Sequence, residues 1–337
     1  MSIAYDAPAT LAGFDQTRRQ LADAYALGRS LAGDVDRIHF VACGSANRAM
    51  RGLAWWIEHL SPSLEVKRSF PAEFMAQDPR RLDGRTLVFL ASKSGNTPET
   101  VAAAGFLKDR PAKVVAFSQF ADRPLAREVG TTFLVGDTAE SFTAMAMLMH
   151  ALVAGLLAER DGWTEAGNLM AGLDALPAAV CQAAVANDAR AARDAEAFRD
   201  DDRIYHVASG PGFTTAYVFG VCILMEMLWL HSYPIDAAEF FHGPFEIVDK
   251  QTPLVLLMGE DPTRPIMDRV ERFCDTYAER VMKYDSRVYP MPGVPASARP
   301  ILAPYVLQAA LKRYAAHLSV LRDQPLSTRR YMWKVAY

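Results

Sequence analysis

The sequence predicts an α/β protein made of two tandem, doubly wound parallel-sheet domains, and three observations carry that prediction. At 337 residues the chain exceeds the roughly 100 to 200 residues of one compact domain. "DRIHFVACGSANRAMRGLAWWIE" from Asp36 and "DRIYHVASGPGFTTAYVFGVCILME" from Asp202 lie 166 residues apart and share one order: charged start, apolar β-rich strand, glycine turn, long apolar helix. At the same offset "TLVFLAS" from Thr86 meets "TPLVLLM" from Thr252. Repeated strand, turn and helix is the pattern of parallel α/β domains, and uninterrupted apolar strands at 88–91 and 254–258 fit sheets covered on both faces. Chance likeness of two α/β halves explains a shared glycine turn, but the common "DRI" and two co-offset strands favour duplication.

The remaining elements follow from local pattern. Strands are predicted near 64–68, 114–117 and 281–284, and helices near 97–108, 141–158, 265–280 and 300–319. The Ala-rich stretch 178–198 reads as a helix leading into the second domain. The predicted organisation is a helical segment at 1–35, a first domain at 36–175, a second at 176–322 and a tail at 323–337.

Composition narrows the function. With 51% hydrophobic residues, 22% charged residues and a net charge of -3, the chain offers no basic field for nucleic acid. The N-terminus has no basic stretch followed by an apolar one, so no secretory signal is read and a cytoplasmic protein is expected. Apolar runs at 142–158 and 217–230 are shorter than the roughly 20 residues of a spanning helix, so they read as core helices and no membrane is expected. Cys43, Cys181, Cys222 and Cys274 are too dispersed for a metal clip or a disulfide scaffold. They read as reduced thiols, and no metal is expected.

Any anion must therefore be held locally, and one turn is built for it. "SKSGNTPET" from Ser92 follows a strand and opens a helix, with Thr97 at the N-cap and Pro98 at the first helical position. The free N–H groups of a helix start favour an anion, and Ser92, Lys93, Ser94 and Thr97 add donors and charge. "CGSAN" from Cys43, with Gly44 and Ser45, makes a second such turn at the same predicted sheet edge, where ligands bind in open α/β sheets. One turn of this kind usually just caps its helix; two together favour phosphate binding. Neither matches a Walker loop or the Gly-x-Gly-x-x-Gly fingerprint. In the second half Ser92, Lys93 and Ser94 become Met258, Gly259 and Glu260, an acidic turn that would repel phosphate.

The second half offers proton chemistry instead. Glu226 sits in "VFGVCILMEMLWLH", apolar around the helix and so expected to be buried, where desolvation would suit a general base. The same burial suits half of a core salt bridge. His242 follows a stretch read as a loop, beside Gly243-Pro244, where functional residues concentrate. His231 competes with His242, and Glu239 and Glu246 compete with Glu226.

"VACGSAN", "SKSGNTPET" and "EMLWLHSYPIDAAEFFHGPFEIV" resemble the tandem sugar isomerase (SIS) domains of glucosamine-6-phosphate synthase and, more closely, the fructosamine-6-phosphate deglycases, over almost the whole chain. Where the synthases follow a "DQP"-like segment (here Asp323 to Pro325) with a lysine used on the sugar, this sequence has Arg330, which cannot readily form an imine. "RRY" at Arg329 to Tyr331 is deglycase-like, and a role in clamping a substrate carboxylate or shaping the site is expected of Arg330. Ala46 replaces a phosphate-binding hydroxyl of the synthases. Chain start at Met, without a glutaminase domain, disfavours glutamine-dependent transfer.

The resemblance implies a substrate: a fructose 6-phosphate carrying an amino acid on C1. Gly44, Ser45, Ser92, Lys93, Ser94 and Thr97 would hold the phosphate, His242 would open the ring, Glu226 would take the C1 proton, and the tail would close the site. It implies no metal or organic cofactor, and a homodimer, or a larger homo-oligomer, with the His242 loop reaching the partner's site. An aldose-ketose isomerase or amino sugar phosphate deaminase is the alternative. A non-catalytic sugar-phosphate-binding regulator stands behind it, since 35 residues before the first strand leave little room for a DNA-binding domain.

Overall fold

The computed structural model describes residues 4–336. They divide into two compact units: residues 8–177 with 293–298, and residues 178–292 and 299–336 with 4–7. In the first, β1 (Arg37–Ala42), β2 (Glu65–Ser69), β3 (Thr86–Ser92), β4 (Lys113–Ser118) and β5 (Thr132–Leu134) form a sheet in the order β2-β1-β3-β4-β5. Every pairing is parallel. Crossover helices cover the sheet, so β3 is buried at every residue, and Val41, Val88, Leu90 and Ala116 pack with Phe74 and Leu107 in its core.

Where described, the N-terminal residues are part of this unit from Pro8 onward, not a segment apart. Helix Leu21–Leu31 lies against helix Ser141–Asp161 so closely that a Cβ on Gly28 would sit 1.9 Å from the Leu152 carbonyl oxygen. A Cβ on Gly155 would likewise sit 2.0 Å from the oxygen of Tyr25. Glycine on both faces is what lets the two backbones meet.

The two apolar runs are longer than the sequence suggested. Helices Ser141–Asp161, Ala166–Ala197 and Gly210–Leu228 are each long and apolar enough, by length and composition, to cross a membrane. Burial covers 89% of the most apolar window in the first, 56% in the second and 61% in the third. For Ser141–Asp161 the core therefore accounts for the apolar composition.

In the second unit β6 (Arg203–Ala208), β7 (His231–Asp236), β8 (Leu254–Met258) and β9 (Val281–Asp285) are all parallel, in the order β7-β6-β8-β9. This repeats the winding of β2-β1-β3-β4. The register repeats too: Arg37 pairs with Glu65 as Arg203 pairs with His231, and His39 with Val88 as Tyr205 with Leu254. The correspondence slips by one residue only at the outer strand, where Val88 pairs with Val114 but Leu254 with Val281. Strand β7 corrects the expectation of a loop between His231 and His242. It is an edge strand, and the edge is where Pro234, which has no N–H to give, is tolerated.

Candidate active site

Because β1 and β3 run side by side with Ala42 opposite Ala91, the turns that follow them emerge together at the strand-end edge of the first sheet. Gly44 there has φ +55°, and helix Gly44–Leu60 starts at it; helix Pro98–Leu107 starts just past the other turn. Gly44, Ser45, Ser92, Lys93, Ser94 and Thr97 are thus gathered at one edge, below two helix N-termini. Ser92 is buried and organises its turn: its Oγ accepts from the Gly95 N–H at 3.1 Å and stands 2.8 Å from Thr97 Oγ1. Thr97 occupies the N-cap position but its hydroxyl turns to Ser92 instead of capping the helix. The helix-start N–H groups are therefore not taken by that hydroxyl. Gly95 has φ +65°, and the side-chain stem of Arg123, which sequence reasoning passed over, packs directly on it. Burial pushes the Cys43 thiol up, so this turn carries no ready thiolate.

The equivalent edge of the second sheet is filled by the protein's own carboxylates. Asp261, buried, accepts from the Thr263 N–H at 2.9 Å and from its hydroxyl at 2.5 Å, at the start of helix Arg264–Tyr277. Glu260 accepts from Arg299 and from Ser286. An internal anion sits where the first sheet leaves donors open.

Glu226 lies at the other edge of that second sheet. Helix Gly210–Leu228 runs back from the end of β6 to the start of β7, passing through a π-helical stretch at Val218–Met225 just before Glu226. The side chain is not buried as expected: it is 27% exposed and pairs with Arg329, whose Nη2 lies 2.8 Å from Oε1. The helix end is itself open, with Met225 43% and Trp229 41% exposed, so apolar neighbours in sequence do not bury Glu226. Arg329, 9% exposed, also donates to the carbonyls of Leu326 and Thr328, while Gln324 Nε2 donates to the Met227 carbonyl at 2.7 Å. The chain end is in this way fastened to the end of the helix.

A cavity of about 350 Å³ opens here. Met225, Glu226, Trp229 and Leu230 line it from the helix end, His231 from β7, and Arg329, Arg330, Tyr331 and Met332 from the tail. Glu226 and Arg330 thus line one cavity together with Arg329 and with His231, the competitor of His242. A carboxylate oriented by a guanidinium at the wall of an open cavity is equipped to accept a proton.

His242 is not among these residues. It closes a 3₁₀ turn, Phe240–His242, beyond the far end of β7, and it is exposed. The six residues of β7 span about 17 Å, so Glu226 and His242 stand at opposite edges of one sheet. Glu239 and Glu246 flank His242 on exposed turns, at that same far edge. Among the described residues no group of three or more His, Cys, Asp or Glu side chains is placed to hold a metal ion.

Residues 33–155 match the SIS domain family. The chain is 36% identical over 305 residues to fructosamine deglycase FrlB of Bacillus subtilis (strain 168), covering 90% of this chain and 93% of that one. It is 33% identical over 313 residues to the agropine synthesis conjugase of Rhizobium rhizogenes, covering 90% and 87%. A fructoselysine 6-phosphate deglycase of Escherichia coli O157:H7 is 28% identical over 299 residues, covering 88% and 86%. Among solved structures, a Bacillus subtilis protein described as a phosphosugar isomerase aligns with a TM-score of 0.88 at 35% identity, covering 97% of this chain and 99% of that one. The C-terminal domain of a Francisella tularensis glucosamine-fructose-6-phosphate aminotransferase shares the fold, with a TM-score of 0.76 at 17% identity over 94% and 96% of the two chains.

Proposed function

The chain belongs to the fructosamine deglycase family of SIS-domain proteins, and from that premise we propose that it cleaves a 6-phosphorylated fructosyl-amino acid, an Amadori compound, into glucose 6-phosphate and the free amino acid. The observation that carries the reading is the Glu226 carboxylate, held by Arg329 at the wall of an open cavity. The hydroxyl turns at Gly44–Ser45 and Ser92–Thr97 anchor the 6-phosphate. A histidine opens the ring. Glu226 takes a proton from C1, giving an enolamine; protonation at C2 turns this into a C1 imine, and water releases the amine and leaves the aldehyde of glucose 6-phosphate. Arg330 stands where a lysine would be needed for a Schiff base, so the route keeps the substrate's own nitrogen as the only imine nitrogen.

The separation of Glu226 from His242 bears on assembly. One chain cannot bring both to the same C1–C2 unit across a sheet, so His242 serves the site of a second copy, and the protein works as a homodimer. His231, at the Glu226 cavity, is the ring-opening acid if the site is made within one chain. Phosphorylated sugars are intracellular metabolites, which fits a cytoplasmic enzyme.

The kinship to a conjugase favours a second reading, in which the same proton shifts run toward joining the amine to the sugar. Parallel assays for released amine and for glucose 6-phosphate, run over a panel of 6-phosphorylated fructosyl-amino acids and glucosamine 6-phosphate, test the proposal. Release from the conjugates and not from glucosamine 6-phosphate is the expected result. Release from glucosamine 6-phosphate alone would replace the deglycase by an amino sugar phosphate deaminase, and incubation of glucose 6-phosphate with free amine tests the conjugating direction.

A further inference from the structure

The cavity beside Glu226 carries one charge that nothing in it neutralises. Glu226 and Arg329 cancel as an ion pair. Arg330 remains: its guanidinium carbon lies 4.1 Å from the centroid of the Trp229 ring, and that ring contact is its only recorded interaction among the described residues. Its five N–H donors have no carboxylate to meet, while stacking on the ring fixes the plane in which they point.

Trp229 is held there at a cost. It has φ +54°, a left-handed conformation that a bulky residue adopts only under strain. The helix needs that conformation to end, since the Leu230 N–H bonds back to the Leu224 carbonyl at 3.1 Å, six residues earlier. Glycine is the usual occupant of such a position. A tryptophan there is 41% exposed, so it adds little to the core, yet it puts a flat face under Arg330 at the cavity wall.

We propose that Arg330, oriented by Trp229, is the specificity-determining residue that binds the carboxylate of the departing amino acid, and that this cavity is the leaving-group pocket. The inference rests on the reading that Glu226 works at C1. The amine is bonded to C1, and a carboxylate on the carbon next to that nitrogen lies about 4 Å from C1 by covalent geometry. Glu226, in the last turn of the helix, and Trp229, the left-handed residue that ends it, line the same cavity. A group bonded to the atom that Glu226 deprotonates therefore falls within reach of a guanidinium stacked on Trp229. The guanidinium fork matches a carboxylate in two parallel hydrogen bonds, while Met225, Leu230 and Met332 supply apolar wall for the rest of the amino acid.

The test compares a 6-phosphorylated fructosyl-amino acid with its carboxamide, identical in size but uncharged. The wild-type protein prefers the carboxylate, and Arg330→Met lowers the ratio of the two kcat/KM values by about 10–100-fold, mostly through KM; Arg330→Lys recovers part of it. Trp229→Gly lowers the same ratio while the melting temperature holds or rises, because glycine suits φ +54°. Calorimetric Kd values for both conjugates on Glu226→Gln protein read the same discrimination without turnover. Discrimination in Kd with no release of amine by the wild type would sink the deglycase reading and leave this pocket standing. Equal losses on both conjugates in Arg330→Met, or no wild-type preference, would overturn the inference.

Discussion

Replacing Gly95 by alanine separates two costs that the turns proposed to hold the phosphate impose on their glycines. Gly44 and Gly95 both have positive φ, +55° and +65°. An alanine at either loses about 1 kcal/mol or more for that conformation alone. At Gly44 nothing lies within 4 Å of the added Cβ, so the loss ends there. At Gly95 the Cβ would stand 2.5 Å from Arg123 Cβ and 2.7 Å from Ser118 Oγ. Carbon contacts are comfortable at about 3.5–4.0 Å, so roughly 1 Å must be found, and Arg123 Cβ is fixed to its backbone and cannot rotate away. Overpacking of that kind costs a further ~1–3 kcal/mol, for about 2–4 kcal/mol in all. The turn shifts to relieve it, and with it go the bonds that Gly95 makes to Ser92 Oγ and to the Leu125 N–H. Urea unfolding should place Gly95→Ala clearly below Gly44→Ala in stability. Inorganic phosphate should raise the melting temperature of the wild type and fail to raise that of Gly95→Ala. Equal destabilisation of the two variants, or full phosphate stabilisation of Gly95→Ala, would refute the reasoning.

Other consequences are as direct. Gly28→Ala puts a Cβ 1.9 Å from the Leu152 oxygen, a backbone atom, so the two helices must part; a loss of about 3 kcal/mol is expected in chemical denaturation, and a loss below ~1 kcal/mol would mean the helices slide apart freely. Burial lowers His39 to about 4 and His150 and His206 to about 3, all from an ordinary value of 6.5. The unfolded chain then binds protons that the folded one refuses, so stability is complete above pH ~6.5 and falls below it by up to about 1.4 kcal/mol per pH unit for each histidine, down to the folded values. Urea midpoints at pH 7.5 and 5.5 measure this; an unchanged midpoint contradicts it. Mixing and co-refolding Glu226→Gln with His242→Ala chains should restore about a quarter of the wild-type activity if the site is shared between copies, because one site of each mixed dimer has both native groups. No restoration would return the ring-opening role to His231.

What the sequence let one read depended on how much each residue's own neighbourhood determined. Strands β3 and β8 announce themselves because they are buried throughout and run apolar, β1 and β6 because they share the order Asp-Arg-Ile, strand and glycine turn, and the spacing of both pairs exposes the duplication. That the two sheets share one winding follows once both copies are recognised, whereas the order itself comes from the structure. Strand β7 hid because an edge strand tolerates Pro234 and polar residues, the same composition as a loop. Ser92 to Thr97 was legible because hydroxyls, a glycine and a proline each have a local job in a strand-to-helix turn. The pairing of Arg329 with Glu226 had no such signal: "RRY" marks a family resemblance, but nothing local to it points to a carboxylate about a hundred residues away. The left-handed Trp229 was equally silent, since a position that wants glycine gives no sign when it holds something else. Glu226 stands out in the sequence as an isolated carboxylate in an apolar helix expected to bury it, whereas it is 27% exposed at the helix end, against Arg329.

The account turns on a hydrogen leaving C1 and another arriving at C2, and the identity of the released sugar reports that directly. Incubating the protein with a 6-phosphorylated fructosyl-amino acid and resolving the sugar phosphates by NMR should give glucose 6-phosphate in equal amount to free amino acid, with Glu226→Gln giving neither at a comparable rate. Fructose 6-phosphate as the product would mean that the C1–N bond breaks without the proton shift. That result, or unchanged release by Glu226→Gln, would contradict the account.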